Sequence, residues 1–226
     1  MRPWTATRFC RLTLLLAAGL LVLGGCAPTS RGMLDALRQS LPGSSTLHPT
    51  AASVAARPYF QLQVKTPTGE AILILGSVEG DLLGWYGKPG EAVFTRHGVV
   101  VRTLGLTQNL DDTRWPHANP FARGLQHLRG PTPDQRVLDL SPGYRYGAEL
   151  QMQLQPGPLE SVAILGTVRR LQRIDETVRM PALGLHGENR YWLDPADGFI
   201  WKSRQLVAPG MALELTVLRR YREPAA

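Results

Sequence analysis

From residue 58 the apolar positions of the chain fall at every second residue. Phe60, Leu62 and Val64 alternate with Gln61, Gln63 and Lys65, the pattern of a strand with one buried face. Pro67-Thr68-Gly69 turns the chain into Ala71 to Val78 (AILILGSV), which is apolar at both parities and so predicts a central strand covered on each side. Glu79-Gly80-Asp81, Lys88-Pro89-Gly90 and His97-Gly98 separate Leu82 to Tyr86, Ala92 to Phe94 and Val99 to Leu104. Short apolar runs joined by tight turns predict an antiparallel meander.

The alternation then lapses. Residues 105–135 hold Asp111-Asp112, Arg114-Trp115-Pro116 and prolines at 131 and 133, with helical turns expected at 107–112 and 120–128. Some thirty residues without a strand signal exceed an ordinary connector and point to a functional or sheet-covering segment. A second strand run opens at Arg136. Leu150, Met152 and Leu154 alternate with glutamines, and Ser161 to Val168 reads as continuing through Glu176 in one long strand whose far end leaves the core. Asn189 to Leu193 and Phe199 to Leu206 flank Asp194-Pro195-Ala196-Asp197-Gly198, a hairpin signal with glycine where positive φ is needed. Leu213, Leu215 and Val217 close the pattern. The 23 glycines and 18 prolines fit a turn-rich β domain better than a helical one.

The N-terminus follows different rules. Arg2, Arg8 and Arg11 precede twelve apolar residues from Leu12 to Leu23, short of the roughly 20 that a membrane span requires and suited to a secretory leader. Leu23-Gly24-Gly25-Cys26 ends the run with small residues before a cysteine, the pattern cut where the cysteine carries lipid. Residues 1–25 are therefore expected to be a lipoprotein signal peptide and Cys26 the lipidation site, bearing acyl chains such as palmitate. Two or three chains hold essentially permanently, at about 0.8 kcal/mol per buried CH₂. Residues 26–57 read as the lipidated N-terminus and a tether, with a short amphipathic helix over Gly32 to Leu41 and then a Ser-, Thr-, Ala- and Pro-rich stretch. Residues 58–222 form a single β-rich periplasmic domain. Ala27, rather than Asp, after the cysteine favours the outer membrane, periplasmic face.

Composition narrows the chemistry. Cys10 lies in the leader and Cys26 is acylated, so the mature chain keeps no thiol for a disulfide, a metal or a nucleophile. Of 25 basic against 18 acidic side chains, three arginines belong to the leader, and export with so small an excess excludes nucleic acid as a partner. The basic residues are 22 arginines against Lys65, Lys88 and Lys202, a bias that suits carboxylate or phosphate groups on a glycan or lipid headgroup.

No Gly-x-Ser-x-Gly elbow, GxGxxG or GxxxxGK[ST] loop occurs. His48, His97, His117, His127 and His186 are scattered without ligand spacing, so no metal and no cofactor is expected. Glu79/Asp81 and Asp194/Asp197 are explained by turn chemistry. Asp111/Asp112 is the carboxylate pair left over for a glycan-active enzyme, which needs its two acids facing each other across about 5–10 Å. The aromatics cluster near arginines around turns and the terminal hairpin, where they would stack on sugar rings, cover an acyl chain, or pack as cross-strand pairs.

Taken together, Arg57-Pro58-Tyr59, Val78-Glu79-Gly80-Asp81 with Trp85-Tyr86, Arg102-Thr103-Leu104-Gly105-Leu106 leading to Thr113-Arg114-Trp115, and Tyr191-Trp192-Leu193-Asp194-Pro195 with Gly198-Phe199-Ile200-Trp201-Lys202-Ser203-Arg204-Gln205 resemble the YjbF/GfcB family of exopolysaccharide and group 4 capsule lipoproteins. The resemblance spans roughly residues 26–222 and departs at Gln108-Asn109, where the family's pattern is more acidic. It implies a mainly β fold, an open curved or half-barrel-like antiparallel sheet, and a role in polysaccharide secretion or assembly; it brings no catalytic residues. The expected function is thus a non-catalytic outer-membrane lipoprotein acting through other export proteins or the glycan itself. The alternatives are an acyl-chain-binding module and, behind it, an enzyme using Asp111 or Asp112. The expected binding surface is Arg102, Arg114, Trp115, Tyr191, Trp192 and Trp201.

Overall fold

A computed structural model describes residues 47–222. The leader, Cys26 and the helix expected over 32–41 lie outside the described residues. Twelve antiparallel strands form one sheet: β1 (Gln61–Thr66), β2 (Gly69–Glu79), β3 (Leu82–Tyr86), β4 (Ala92–Arg96), β5 (Val99–Leu104), β6 (Asn109–Arg114), β7 (Thr132–Ser141), β8 (Arg145–Ile164), β9 (Thr167–Met180), β10 (Leu185–Leu193), β11 (Ile200–Ala208) and β12 (Met211–Arg219). Their spatial order is β5-β4-β3-β2-β1-β12-β11-β10-β9-β8-β7-β6, so every neighbour but β1–β12 is also a neighbour in sequence. The meander therefore extends through the whole domain.

The sheet curls until its two edges, β5 and β6, lie side by side. Side chains stitch this seam where a backbone ladder is missing: the Leu110 amide donates to Thr103 Oγ1 (2.9 Å) and Arg102 Nε donates to the Asp111 carbonyl (3.0 Å). From across the interior, Gln205 of β11 accepts from the Val100 amide and donates to the Gly98 carbonyl, both at 2.9 Å. An exposed strand edge is thereby closed without a partner strand. The expected curved, half-barrel-like antiparallel sheet is what the chain forms, curled until it is nearly closed.

Alternation decides which side chains point inward. Leu62, Leu73, Trp85, Val93, Leu138, Leu150, Met152, Val178, Leu213 and Leu215 fill the main cluster. A second cluster gathers Val99, Phe121, Leu125, Leu154, Ile174, Tyr191 and Leu193. Phe121 and Leu125 come from the segment between β6 and β7, which folds over one end of the barrel. That end, with the β2–β3, β4–β5 and β10–β11 turns, is called the upper end below.

Between the clusters lies a charged layer. Arg136 donates to Asp134 (Nε to Oδ2, 2.8 Å) and to Glu176 (2.6 Å), while Asn189 (2.7 Å) and the Tyr191 hydroxyl (2.9 Å) donate to the other Glu176 oxygen. Glu176 and Tyr191 are 0% exposed and Arg136 4%. Burial, the largest influence, raises Glu176 above the usual carboxylate range, although Arg136 pulls it back. Burial likewise opposes charge on Arg136, yet Glu176, Tyr191 and Asp134 together lift it above its ordinary value. The guanidinium also lies 4.9 Å from the Phe121 ring and 5.4 Å from that of Trp115, so its faces as well as its edges are occupied.

Four expectations change. Residues 107–112 do not turn helically: 109–114 form β6, because pairing with β7 sets their conformation. The segment from Ser161 to Glu176 is not one strand but the β8–β9 hairpin, turning at Leu165-Gly166, and Glu176 stays in the core. The strand around Ala71 to Val78 is covered on one face, with Ile74 and Val78 exposed. Residues 47–57, assigned to the tether, run along the outer face of β1: Ala51–Ala55 forms helix α1, capped by Thr50 with Val54 buried, and Gln61 Nε2 donates to the Val54 carbonyl. Within the middle segment, the turn expected at 120–128 is a 3₁₀ helix at Leu125–His127.

Candidate functional site

Beside the charged layer a void of about 10 Å³, the size of a single water, is lined by Thr113, Arg136, Asn189 and Gln205 among others. The upper end differs. There a cleft of about 510 Å³ opens between the β6–β7 segment, the β2–β3 and β4–β5 turns, the β10–β11 hairpin and the residues after β12. That volume falls within the usual range for small-molecule sites, about 300–1,000 Å³.

Each wall has a local cause. Asp194 Oδ1 accepts from the Ala196 amide and Asp197 Oδ1 from the Phe199 amide, fixing the hairpin so that Phe199, Ile200 and Trp201 follow it into the cleft. Gly198, at φ 73°, permits this turn and also leaves space for the Gln126 amide, which lies against both Gly124 and Gly198. A methyl group at Gly198 would meet Gln126 Oε1, so the Gln126 amide of the β6–β7 segment packs directly on the hairpin turn. Phe199 and Trp201 meet edge to face at 5.0 Å; Arg220 lies 3.9 Å from the Phe199 ring and Arg169 3.9 Å from that of Trp201. Four side chains from three separate elements thus form a cation–aromatic stack along one wall.

The floor is mixed. Leu62, Trp85 and Leu215 sit beside Thr95, which accepts from Trp85 Nε1 (3.0 Å), and Ser203, which accepts from Gln205 Nε2 (2.9 Å). Both hydroxyls keep their own proton to donate. At the rim Asp81 is engaged by Arg96 (2.9 Å) and His97 (3.0 Å), and Asp197 by Arg220. Burial works to raise the Asp197 carboxyl, but Arg220 and the Phe199 amide bring it below the ordinary range. Among the described residues, neither Arg123, on the rim, nor Arg169 has a carboxylate at ion-pair distance. Trp201 Nε1 and Gln126 Oε1 are buried without a partner.

The six residues expected to form a binding surface do not come together. Tyr191 is a core residue held by Glu176, and Trp115 packs on the second cluster beneath Arg136. Trp192 points outward, its Nε1 donating to Glu160 (2.7 Å) with Lys202 5.3 Å from its ring. That bond, with Arg173, lowers the Glu160 carboxyl. Arg114 is on the outer face, bound to both Asp139 oxygens (2.6 and 2.9 Å) and to Asp112. Arg102 lies over Phe94 and stitches the seam. Of the six, Trp201 alone lines the cleft. Missed were Arg123, Phe199, Arg169, Arg220 and Tyr221; the Gly-Phe-x-Trp run after the hairpin is the sequence signal that points to them.

The carboxylate pair also separates. Asp111 Oδ1 accepts from Ser141 Oγ (2.7 Å) while Asp112 binds Arg114 (2.7 Å), so the two do not face each other across a substrate. Among the described residues, no three His, Cys, Asp or Glu side chains converge on a metal-sized site, and no helix is long and apolar enough to cross a membrane.

Fold and site thus define a one-sheet antiparallel barrel with a filled interior and an open aromatic cleft at one end. The family described as group 4 capsule polysaccharide lipoprotein GfcB, YjbF matches residues 34–218, and the chain belongs to it. Among its relatives, the uncharacterized lipoprotein GfcB of Escherichia coli (strain K12) is 24% identical over 208 residues, 91% of this chain and 97% of that protein. The crystal structure of the hypothetical lipoprotein YmcC from Escherichia coli (K12) has the same fold, with a TM-score of 0.69 at 20% identity, covering 88% of this chain and all of that one.

Proposed function

We propose that this protein is a lipoprotein of the outer membrane, periplasmic face, that supports secretion or assembly of a capsule or exopolysaccharide without catalysis, by binding glycan or an export partner at its upper cleft. Residues 1–25 would be its leader, Cys26 its acylated anchor, the following residues its tether, and the barrel its periplasmic domain. Membership in a capsule-lipoprotein family supports the setting. The observation that carries the molecular reading is the cleft: aromatic walls, hydroxyl-bearing floor and charged rim make a binding site, while the nearby carboxylates are tied to bases or to turn amides. The acyl-chain alternative loses ground because the inward-facing side chains pack into two apolar clusters.

In a host strain lacking the gene, the wild-type protein is expected to incorporate palmitate and restore surface polysaccharide. Cys26→Ser is expected to leave an unlipidated precursor that restores neither. Unaltered surface polysaccharide in the deletion strain would refute the role, and palmitate in the Cys26→Ser protein would refute the anchor.

A further inference from the structure

We propose that the upper cleft receives a carboxylate-bearing sugar, one or two units of an acidic polysaccharide, with a ring face against Phe199, Trp201 and Tyr221 and the carboxylate at Arg123. This rests on the glycan-binding reading above and names the chemical class that the cleft selects.

Size sets the first limit. At about 510 Å³, within the usual range of about 300–1,000 Å³ for small-molecule sites, the cleft suits one or two sugar rings, with a longer chain running out through its open mouth.

Lining chemistry sets the second. An acyl chain wants apolar walls throughout, because every polar group it covers loses water without gaining a partner, at about 1–3 kcal/mol each. This cleft is lined by Gly80, Gly98 and Gly124, by the hydroxyl-bearing Thr95 and Ser203, and by charged side chains at the rim. A sugar ring answers both halves of that surface. Its C–H faces pack on the aromatic wall, and its hydroxyls pair with the glycine backbone and the Thr95 and Ser203 protons.

Charge sets the third. The acids of the rim already have partners: Asp81 has Arg96 and His97, and Asp197 has Arg220. Among the described residues, the lining cations without a carboxylate at ion-pair distance are Arg123 and Lys202, and Arg169 stands behind Trp201, 3.9 Å from its ring. Cations left uncompensated around one cleft favour an anion and disfavour a neutral sugar of the same shape.

The test uses the full-chain acylated protein in detergent micelles, titrated with trigalacturonate, with neutral galactotriose and with palmitate, read by calorimetry and tryptophan fluorescence. Trigalacturonate should bind at least tenfold more tightly than galactotriose, and the advantage should shrink as salt rises. The double variant Arg123→Gln/Arg169→Gln should lose that advantage while keeping residual affinity for the neutral sugar. Arg129→Gln, on the same segment outside the cleft, should bind as wild type, and circular dichroism verifies that each variant folds. Equal affinity for the charged and neutral sugars overturns the acidic class and leaves the glycan reading standing. Binding of palmitate with neither sugar overturns both. Absence of trigalacturonate binding at millimolar concentration also overturns the proposal.

Discussion

Replacing Arg136 with methionine tests whether the charged layer inside the barrel holds the fold as the geometry requires. The substitution keeps most of the side-chain volume, so the cavity it leaves is small. What it removes is the partner of Glu176 at 2.6 Å and of Asp134 at 2.8 Å, leaving two acids whose side chains are at most 2% exposed. Removing one partner of a buried pair costs about 3–5 kcal/mol, and a desolvated cation–π contact contributes up to about 2 kcal/mol more. Since these overlap, we expect a loss of about 4 kcal/mol, a large share of the typical 5–15 kcal/mol of a folded domain. Adding Asp134→Asn and Glu176→Gln removes the stranded charges and should recover about half of it.

The pH dependence has a definite sign. Burial already raises Glu176, and losing Arg136 raises it further. A carboxyl whose folded value exceeds its unfolded value contributes stability below the unfolded value, lost as pH rises through the folded one. The Arg136→Met deficit should therefore shrink between about pH 8 and about pH 5. Urea unfolding of the full chain in a fixed detergent, followed by far-UV circular dichroism, reads all three quantities. A loss below about 1 kcal/mol, or a triple variant no more stable than the single one, would refute the reasoning.

Other positions give independent checks. Asp139 is held at about 2, first by the bonds from Arg114 and then by the Gly147 amide; this lowered value contributes stability above the unfolded 3.8 that is lost as pH falls through about 2. Asp139→Asn should thus flatten the acid-unfolding profile below about pH 4, measured by circular dichroism against pH. Gly198→Ala, at φ 73° and against Gln126, should cost roughly 1–2 kcal/mol from the backbone alone and raise protease sensitivity in residues 115–131. Gln205→Leu strands the Val100 amide and the Gly98 carbonyl; a loss of about 1–3 kcal/mol and faster hydrogen exchange at Val100 are expected.

The strands and the Asp194–Gly198 hairpin were legible because alternation and turn chemistry are local properties. Residues 109–114 were not, since pairing with β7 and the stitch to Thr103 come from elsewhere in the chain. Ala71 to Val78 misled because apolar residues at both parities imply two covers, yet Ile74 and Val78 are left exposed. The charged layer is the instructive case. Asp134 and Arg136 share the parity of Leu138 and Leu140, and Glu176 that of Ile174, Val178 and Met180. Strict alternation therefore placed three charges inside, against the ordinary surface preference of those residues. The cleft is half legible: Trp201 stands out in the sequence, but Arg169 on its ring comes from β9 and Arg220 on the neighbouring Phe199 ring from beyond β12, and chain separation hides the stack.

The proposed role has an anchored domain working through its upper cleft. The most direct measurement replaces the chromosomal copy with the Arg123→Gln/Trp201→Ala variant and compares surface polysaccharide, protein level and membrane fractionation with wild type and deletion. The variant is expected at normal level and still fractionating with the outer membrane, with surface polysaccharide reduced to that of the deletion strain. Wild-type surface polysaccharide in that strain would contradict it.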